Sequence, residues 1–140
     1  MTKILSEVEA RRVISAGKIG HLGCIVKGEP YVVPVNYLLE DGSIYSHSLP
    51  GQKIQALRTH PRVCLQVEQI HDDFHWRSAI AFGSFEEIHD ELERALALRK
   101  LLERFPRLTP VESRVVQDAA PLEVIVFRIR VDRITGVGEE

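Results

Sequence analysis

The spacing of turn residues in the first third of the chain constrains the fold most. Apolar segments typical of strands, at residues 19–26, 31–39 and 43–48, are separated by two short turn sequences, Lys27-Gly28-Glu29-Pro30 and Glu40-Asp41-Gly42. Glycine beside a polar residue is typical of tight hairpin turns. Connections this short cannot cross over to a parallel strand, so the three segments are predicted to form an antiparallel meander.

Helix signals lie on both sides of this meander. A capping box at Ser6 and Glu9 predicts one helix start, and Asp90 with Glu93 predicts another. In the last of the helices, one set of side chains recurs at helical spacing and is predicted to pack on a sheet: Leu92, Leu96, Arg99, Leu102 and Phe105. The predicted helices span residues 6–17, 52–60 and 90–105.

Three further strands are predicted at residues 62–69, 76–88 and 122–134. Gly83 interrupts the second of them, which indicates a bulge or bend that lets the sheet curl. In the last strand one apolar face is formed by alternate residues, Ile125, Phe127, Ile129 and Val131. Residues 70–75 are predicted to be a polar loop, and residues 107–121 a proline-containing connection.

Six antiparallel strands leave exposed edges unless the sheet closes on itself. A chain of 140 residues has the size of one domain, and a closed sheet is the simplest way for it to bury these strands. We therefore predict a mainly β protein: one domain over residues 1–140, built as a six-stranded antiparallel barrel with flanking α-helices.

Charge and composition exclude several function classes. Eighteen Lys and Arg against 20 Asp and Glu give a net charge of −2 without a basic cluster, which argues against a nucleic acid partner. The N-terminal residues lack the apolar stretch of a signal peptide, and no segment is long and apolar enough for a membrane span. We expect a cytoplasmic protein in which Cys24 and Cys64 are buried free thiols.

The segment from residue 45 to residue 53 carries the strongest chemical signal. It places Ser46, His47 and Ser48 at the end of a strand, and Gly51 and Lys53 at the start of a helix. Hydroxyls, a lysine and a helix N-terminus together suit a phosphate group. The alternative is that Ser48 only caps the helix and Lys53 is a solvated surface residue.

Pro34 is the second signal, because proline cannot donate a hydrogen bond to a strand ladder. It indicates either an edge strand or a break that frees the backbone of residues 33–36 to contact a planar ligand. Trp76 and Ser78 share one face of a later strand, where they could line a cofactor site or belong to the core. His47 could act beside a bound ring or be a structural histidine.

A metal site is the alternative suggested by residues 71–75. His71, Asp72, Asp73 and His75 combine imidazoles and carboxylates, which suit transition ions. The segment has the composition of a polar loop, so we predict no metal site there.

These motifs occur in an order that resembles the pyridoxamine-phosphate-oxidase-like split barrels, and most closely their nitroimidazole-resistance (Nim-type) branch. The similar segments are Val33-Pro34-Val35-Asn36-Tyr37, Ile44-Tyr45-Ser46-His47-Ser48, Gly51-Gln52-Lys53, Trp76-Arg77-Ser78, Phe82-Gly83 and Phe127-Arg128-Ile129. The resemblance implies a homodimer that binds flavin mononucleotide (FMN) between its two subunits.

By the same resemblance, Lys53, Ser46 and Ser48 are expected near the FMN phosphate. The residues expected near the flavin ring are Pro34, Val35, Asn36, His47, Trp76 and Ser78. The histidine matching His47 is regarded as functional in the Nim-type branch, which makes His47 the candidate catalytic residue. The arginine-rich strand of the true pyridoxamine-phosphate oxidases is replaced here by residues 35–39, so oxidation of vitamin B6 is not expected.

The function predicted from the resemblance is an FMN-dependent oxidoreductase acting on a small molecule, such as a nitroaromatic or quinone-like acceptor. Two alternatives stay open. Related split barrels bind haem, for which His47, His71 or His75 could supply an axial ligand. A non-catalytic flavin-binding module would fit the absence of a recognisable acid-base set.

Overall fold

Runs of strands are separated by single helices in a computed structural model that describes residues 1–105 and 124–140. Within these residues the elements are β1 (Thr2–Ile4), α1 (Glu7–Ala16), β2 (Ile19–Val26), β3 (Glu29–Asn36), β4 (Leu38–Glu40), β5 (Ser43–Ser48), α2 (Gln52–Thr59), β6 (Arg62–Asp72), β7 (His75–Glu87), α3 (Glu91–Arg104) and β8 (Ile125–Glu139).

A single antiparallel sheet closes into a split barrel at Tyr37. The strand order is β3-β2-β6-β7-β8-β5-β4, and β1 pairs with β8. The two end strands, β3 and β4, are consecutive segments of the chain, separated only by Tyr37. The first segment pairs with β2 and the second with β5. The chain therefore leaves one side of the barrel and joins the other within one residue.

The tight turns of the meander form as predicted. Lys27 and Gly28 join β2 to β3 with φ angles of 52° and 78°, and Asp41 and Gly42 join β4 to β5 with φ angles of 52° and 76°. Two consecutive positive φ angles are the geometry of a type I′ hairpin turn, for which glycine at the second position is favoured. The prediction of an antiparallel meander is confirmed.

Alternation of buried side chains places one face of the sheet in the core. The buried sets include Leu22 and Cys24 of β2, Val63, Leu65 and Val67 of β6, Ala79, Ala81 and Phe85 of β7, and Ile125, Phe127 and Ile129 of β8. The register of β7 against β8 shifts by one residue between Phe82 and Gly83. The irregularity predicted at Gly83 is confirmed, and the extra residue, Asp132, lies in β8.

The helices begin and end where their caps predict. The hydroxyl of Ser6 accepts the Glu9 backbone N–H at 3.1 Å, and Glu9 returns a bond to the Ser6 N–H. Both α1 and α2 contribute buried side chains to the main core, α1 through Ala10, Val13 and Ile14 and α2 through Ile54 and Leu57. None of the helices in the described ranges is long and apolar enough to cross a membrane.

The packing face predicted for α3 was wrong. Its buried residues are Ala97 and Leu101, whereas Leu92 and Leu96 are exposed. Ala97 packs with Val126 of β8, and Arg128 on the same strand forms ion pairs with Glu86 of β7 and Glu93 of α3. Alanine at position 97 is small enough to let α3 approach the sheet. The face that α3 buries is therefore decided by its contact with β8 and not by the spacing of its leucines.

Several predicted strand boundaries need correction. Residues 1–105 and 124–140 contain eight strands where six were predicted, because β1 was not anticipated and the predicted strand 31–39 is divided at Tyr37. The loop predicted at 70–75 was wrong: β6 continues to Asp72 and β7 begins at His75. Strand β8 extends to Glu139, beyond the predicted end at Ile134. The connection predicted at 107–121 lies outside the described residues.

Candidate functional site

A cavity of about 440 Å³ lies beside β3, the end of β5 and the start of α2. Its walls are formed by Ile19, Pro34, Val35, Asn36, His47, Ser48, Leu49 and Lys53. Six of the nine residues predicted to bind the cofactor therefore line one cavity, although they come from three elements, β3, β5 and α2, and β4 separates the first from the other two. A volume of this size is typical of small-molecule sites.

Pro34 lies in an edge strand. All eight residues of β3 pair with β2 in continuous register, including Pro34 opposite His21, so the ladder is not broken there as one prediction held. The interruption lies three residues further on, at Tyr37. The side of β3 away from β2 has no strand partner in the described sheet. Backbone polar groups on this free edge border the cavity at residues 34–36.

The start of α2 supplies the polar end of the cavity. Gly51 is the N-cap residue, it makes no side-chain capping bond, and the first turn carries no acidic residue. Ser48 is not the cap, because its hydroxyl donates to the Leu49 carbonyl at 3.0 Å. Lys53 is half-buried in the cavity wall rather than a solvated surface residue. A cation, a hydroxyl and a helix N-terminus thus lie together.

Ser46 lies outside the cavity wall, unlike His47 and Ser48 that follow it in the chain. Its side chain is only 1% exposed, and its hydroxyl donates to the backbone carbonyl of Asn36 at 2.6 Å. It does not line the cavity. This hydroxyl joins β5 to the end of β3 and thereby holds Asn36 in the cavity wall, which is a positioning role instead of the direct phosphate contact that was expected.

The electrostatic character of the cavity is set by Lys53. Among the described lining residues there is no carboxylate. Burial raises the pKa of the nearby Cys24 thiol, and the positive charge of Lys53 partly opposes that rise. An anionic group in this cavity would lie beside the ammonium group of Lys53.

Trp76 and Ser78 lie elsewhere, on a broad sheet face that we call the open face. It is formed by the outward side chains of β3, β2, β6 and β7, and its most exposed apolar members are Ile19, Ile25, Val32 and Ile70, which are 46–69% exposed. Ser78 accepts a hydrogen bond from Gln66 at 2.9 Å. Ile19, Pro34 and Asn36 belong to both the open face and the cavity wall, so the cavity lies at the edge of the open face.

The histidines proposed as haem ligands are not brought together. His71 and His75 line a separate cavity with Trp76, whereas His47 lines the cavity beside Lys53. The His75 Nδ1 lies 2.8 Å from a carboxylate oxygen of Asp72, which also accepts the Phe74 N–H. Within residues 1–105 and 124–140, no group of three His, Cys, Asp or Glu side chains has the arrangement of a metal site.

Two lining residues, Ile19 and Leu49, were missed by the sequence analysis. Leu49 follows the predicted phosphate segment directly, so its position in the chain was a usable signal. Ile19 is opposite Asn36 in the β2–β3 register. Only that pairing brings it to the cavity, and nothing in the residue type indicates it.

The fold and the cavity define a closed, split antiparallel barrel with a lysine-lined cavity at the free edge of one strand. The chain belongs to the pyridoxamine 5'-phosphate oxidase family, because the sequence model of that family matches residues 6–137. The family resemblance noted in the sequence is thereby confirmed.

Individual relatives agree with this assignment. An uncharacterized protein of Rhizobium meliloti (strain 1021) is 30% identical over 146 residues, covering 96% of this chain and 93% of the relative. The crystal structure of an FAD-binding protein from Mesorhizobium loti has a TM-score of 0.81 and 29% identity, covering 100% and 99% of the two chains. A candidate 5-nitroimidazole antibiotic resistance protein from Bacteroides thetaiotaomicron, with a TM-score of 0.75 and 24% identity over 99% and 89% of the chains, shares the fold.

Proposed function

We propose that this chain is a flavin-binding oxidoreductase and that the cavity beside Lys53 holds the FMN moiety of the cofactor. The observation that carries the proposal is one cavity in which a lysine, a serine hydroxyl and a helix N-terminus adjoin the free backbone edge of β3. Family membership and the FAD-binding relative from Mesorhizobium loti support a flavin.

The residues present fit the two ends of an FMN moiety. The phosphate end needs positive charge and hydrogen-bond donors, which Lys53, Ser48 and the first backbone N–H groups of α2 can supply. The ring end needs a flat apolar contact and polar backbone groups for its heteroatoms. The stretch Pro34 to Asn36 offers both, because it is an edge strand with a buried valine at its centre.

A bound flavin supplies hydride or single-electron transfer, and the protein orients it and shapes access to it. Asn36 is held in place by the Ser46 hydroxyl, which keeps the edge of β3 fixed against the ring. His47 lines the same cavity, and its imidazole is the side chain there that can hold or release a proton. We propose a small planar acceptor, nitroaromatic or quinone-like, as substrate.

A second copy of the chain is the partner we propose for the open face. The face carries exposed apolar side chains and adjoins the cavity through Ile19, Pro34 and Asn36. A homodimer formed through it would cover the flavin site and bring the open-face residues Trp76 and Ser78 into the interface. This arrangement explains how residues distant from the cavity in one subunit could belong to a cofactor site.

The absorption spectrum of the purified protein tests the function, followed by addition of FMN or FAD, a nicotinamide donor and a nitroaromatic or quinone acceptor. We expect a yellow, releasable flavin that the donor reduces and the acceptor reoxidises. A haem spectrum would favour the haem-handling alternative. A bound flavin that no donor reduces would favour the non-catalytic module, and no binding of either flavin would contradict the proposal.

Replacing Lys53 with Ala should weaken FMN binding about 10- to 100-fold, since a hydrogen bond to a charged group contributes about 1.5–3 kcal/mol. Titration of the protein with FMN, followed by flavin fluorescence, measures this change. Lys100→Ala is the matched control, because it removes an equal charge from α3, where Lys100 pairs with Glu40. Equal FMN affinity in Lys53→Ala and wild type would contradict the phosphate assignment.

A further inference from the structure

A group of polar side chains lies among the exposed apolar residues of the open face. It consists of His21 on β2, Gln66 and Glu68 on β6, and Ser78 on β7, and we call it the polar cluster. The His21 Nδ1 lies 3.0 Å from the side-chain oxygen of Gln66, whose amide nitrogen donates to the Ser78 hydroxyl at 2.9 Å. The same Nδ1 lies 3.5 Å from a carboxylate oxygen of Glu68. An imidazole and a carboxylate are thus held together on one sheet face.

The polar cluster is central on the open face. The sheet order places β2 and β6 between β3 and β7, and His21 is directly opposite Gln66 in the register. The exposed apolar members of the face lie on the same strands and on β3: Ile19, Ile25, Val32 and Ile70. A partner that covers these apolar side chains therefore also covers His21 and Glu68, whose side chains are 39% and 35% exposed in the single chain.

The chemistry of the polar cluster suits a second copy of this chain. In a two-fold dimer a face packs against the same face of its copy, so its groups must complement one another. An imidazole and a carboxylate can carry opposite charges, and amides and hydroxyls both donate and accept hydrogen bonds. The polar cluster is therefore complementary to itself, whereas a face carrying charges of one sign would repel its copy.

Glu68 is the charged side chain that lies beside His21. Apart from the Cys64 thiol, the other described residues adjoining His21 on this face are non-ionisable: Gly23, Val32, Pro34, Asn36, Gln66 and Ser78. Arg62, at the far end of β6, forms an ion pair of its own. Helix α2 packs into the core behind the sheet, and its Lys53 lines the cavity. Protonation of His21 therefore decides whether Glu68 has a cation beside it on this face.

Covering the open face makes this protonation state matter. If His21 is neutral, association moves the Glu68 carboxylate out of water without a cation beside it, and an unpaired buried charge is costly. If His21 is protonated, two opposite charges lose water together, and their attraction is stronger in the interface than in water. Association should therefore be tighter when His21 is protonated.

We infer that the dimer proposed for the open face is pH-sensitive, and that protonation of His21 beside Glu68 strengthens the association of the two copies. The inference rests on that proposed dimer and adds the groups that regulate it. His21 is directly opposite Pro34, which lines the cavity beside Lys53, so the regulation acts at the edge of the proposed flavin site. Histidine changes charge between about pH 5 and pH 8, so the response falls in the physiological range.

Sedimentation of the full-length protein over a range of concentrations, at about pH 6 and about pH 8, measures the dissociation constant of the dimer. For wild type we expect this constant to be about tenfold lower at the acidic pH, because each dimer contains two His21 side chains that take up protons. His21→Gln retains an amide for hydrogen bonding without a titrating group, so its dissociation constant should vary less than about twofold. Glu68→Gln should also lose the tighter association at acidic pH.

His89→Gln is the matched control. His89 also lies 3.5 Å from a carboxylate, that of Glu87, but its side chain is 79% exposed in the link between β7 and α3. Because it lies outside the open face, this variant should keep the wild-type response to pH. Circular dichroism of each variant at both pH values establishes that it is folded.

The outcomes separate this inference from the proposed function. Equal wild-type dissociation constants at the two pH values, or a response that persists in folded His21→Gln, would overturn the inference and leave the dimer and the flavin function standing. A wild type that stays monomeric at both pH values would overturn the inference together with the proposed dimer. Flavin binding is decided separately by the absorption spectrum and the flavin titration.

Discussion

Tyr37 lies between β3 and β4, where the chain changes strand partner and the barrel closes. Its side chain is fully buried, and its hydroxyl donates to the carbonyl of Ile14 at 2.5 Å. Its backbone N–H donates to Lys18. Gly17 is required beside it, because a Cβ on Gly17 would lie 2.4 Å from the Tyr37 hydroxyl oxygen. One aromatic side chain thus joins the end of α1 to the change of strand partner between β3 and β4.

Burial raises the pKa of Tyr37 to about 12, from an ordinary value of 10. Since the fold favours the neutral phenol, this contribution to stability is fully present below pH 10 and is lost as the pH rises from 10 through about 12. Ultraviolet titration of the native protein should show one tyrosine ionising last.

The matching variant is Tyr37→Phe, which should abolish that late step and lower the free energy of unfolding at neutral pH by about 0.5–1.5 kcal/mol, because the Ile14 carbonyl loses the phenol donor and keeps the Gly17 backbone N–H. Tyr31→Phe, at an exposed position, is the control and should leave the late step in place. A late step that persists in Tyr37→Phe would show that another phenol is responsible.

At the scale of elements, the long β7–β8 pair depends on one glycine. The bulge at Asp132 changes which residues of β8 face inward: Ile125, Phe127 and Ile129 are buried before it, and Ile134 and Gly136 after it. Because side chains alternate with a period of two, one extra residue is needed for both halves to present apolar residues to the core. Gly83 faces this bulge from β7.

Gly83→Ala should therefore destabilise the protein by about 1–3 kcal/mol, because the added Cβ would lie 2.2 Å from the Arg130 carbonyl oxygen and would force the strands apart. Urea unfolding followed by circular dichroism measures the loss. Ser84→Ala, one residue along the same strand, removes only an exposed hydrogen bond from Arg62 and serves as the control. Similar unfolding midpoints for the Gly83→Ala variant and wild type would mean that the strands adjust without strain.

At the scale of the whole molecule, the open face and the cavity beside Lys53 form a continuous surface. Ile19 and Val32 are 58% and 67% exposed on β2 and β3, and Ile19 also lines the cavity. Exposed apolar residues that cluster on one sheet face mark an interaction surface more often than isolated ones do. The proposed dimer and the proposed cofactor site should therefore depend on each other.

Val32→Lys should convert the dimer to a monomer and weaken flavin binding in parallel, because a charge would be buried at the centre of the interface. Light scattering during size-exclusion chromatography, with flavin titration of the same samples, measures both effects. Leu92→Lys is the control, since Leu92 is 70% exposed on α3, away from the open face. A wild-type protein that is monomeric with flavin present would contradict the proposed interface.

Local signals predicted most of the secondary structure. Capping residues placed the starts of α1 and α3, and glycine after a polar residue placed both hairpin turns. These predictions succeeded because each depends on backbone conformation over a few residues. The loop predicted at residues 70–75 was wrong because it depends on a distant pairing. Polar residues stay in a strand when the partner strand continues to pair with them, as β7 does with β6.

What the sequence by itself determined is therefore the local conformation, the antiparallel meander and the family, with Ser48 and Lys53 marked by their closeness along the chain. Only the tertiary structure decided that the strand after Pro34 changes partner at Tyr37, that Ser46 bonds to Asn36 rather than facing the cavity, and that Ile19 joins the wall. Those outcomes depend on register and closure between distant strands. Register is set by how all apolar faces bury together, which no short segment encodes alone.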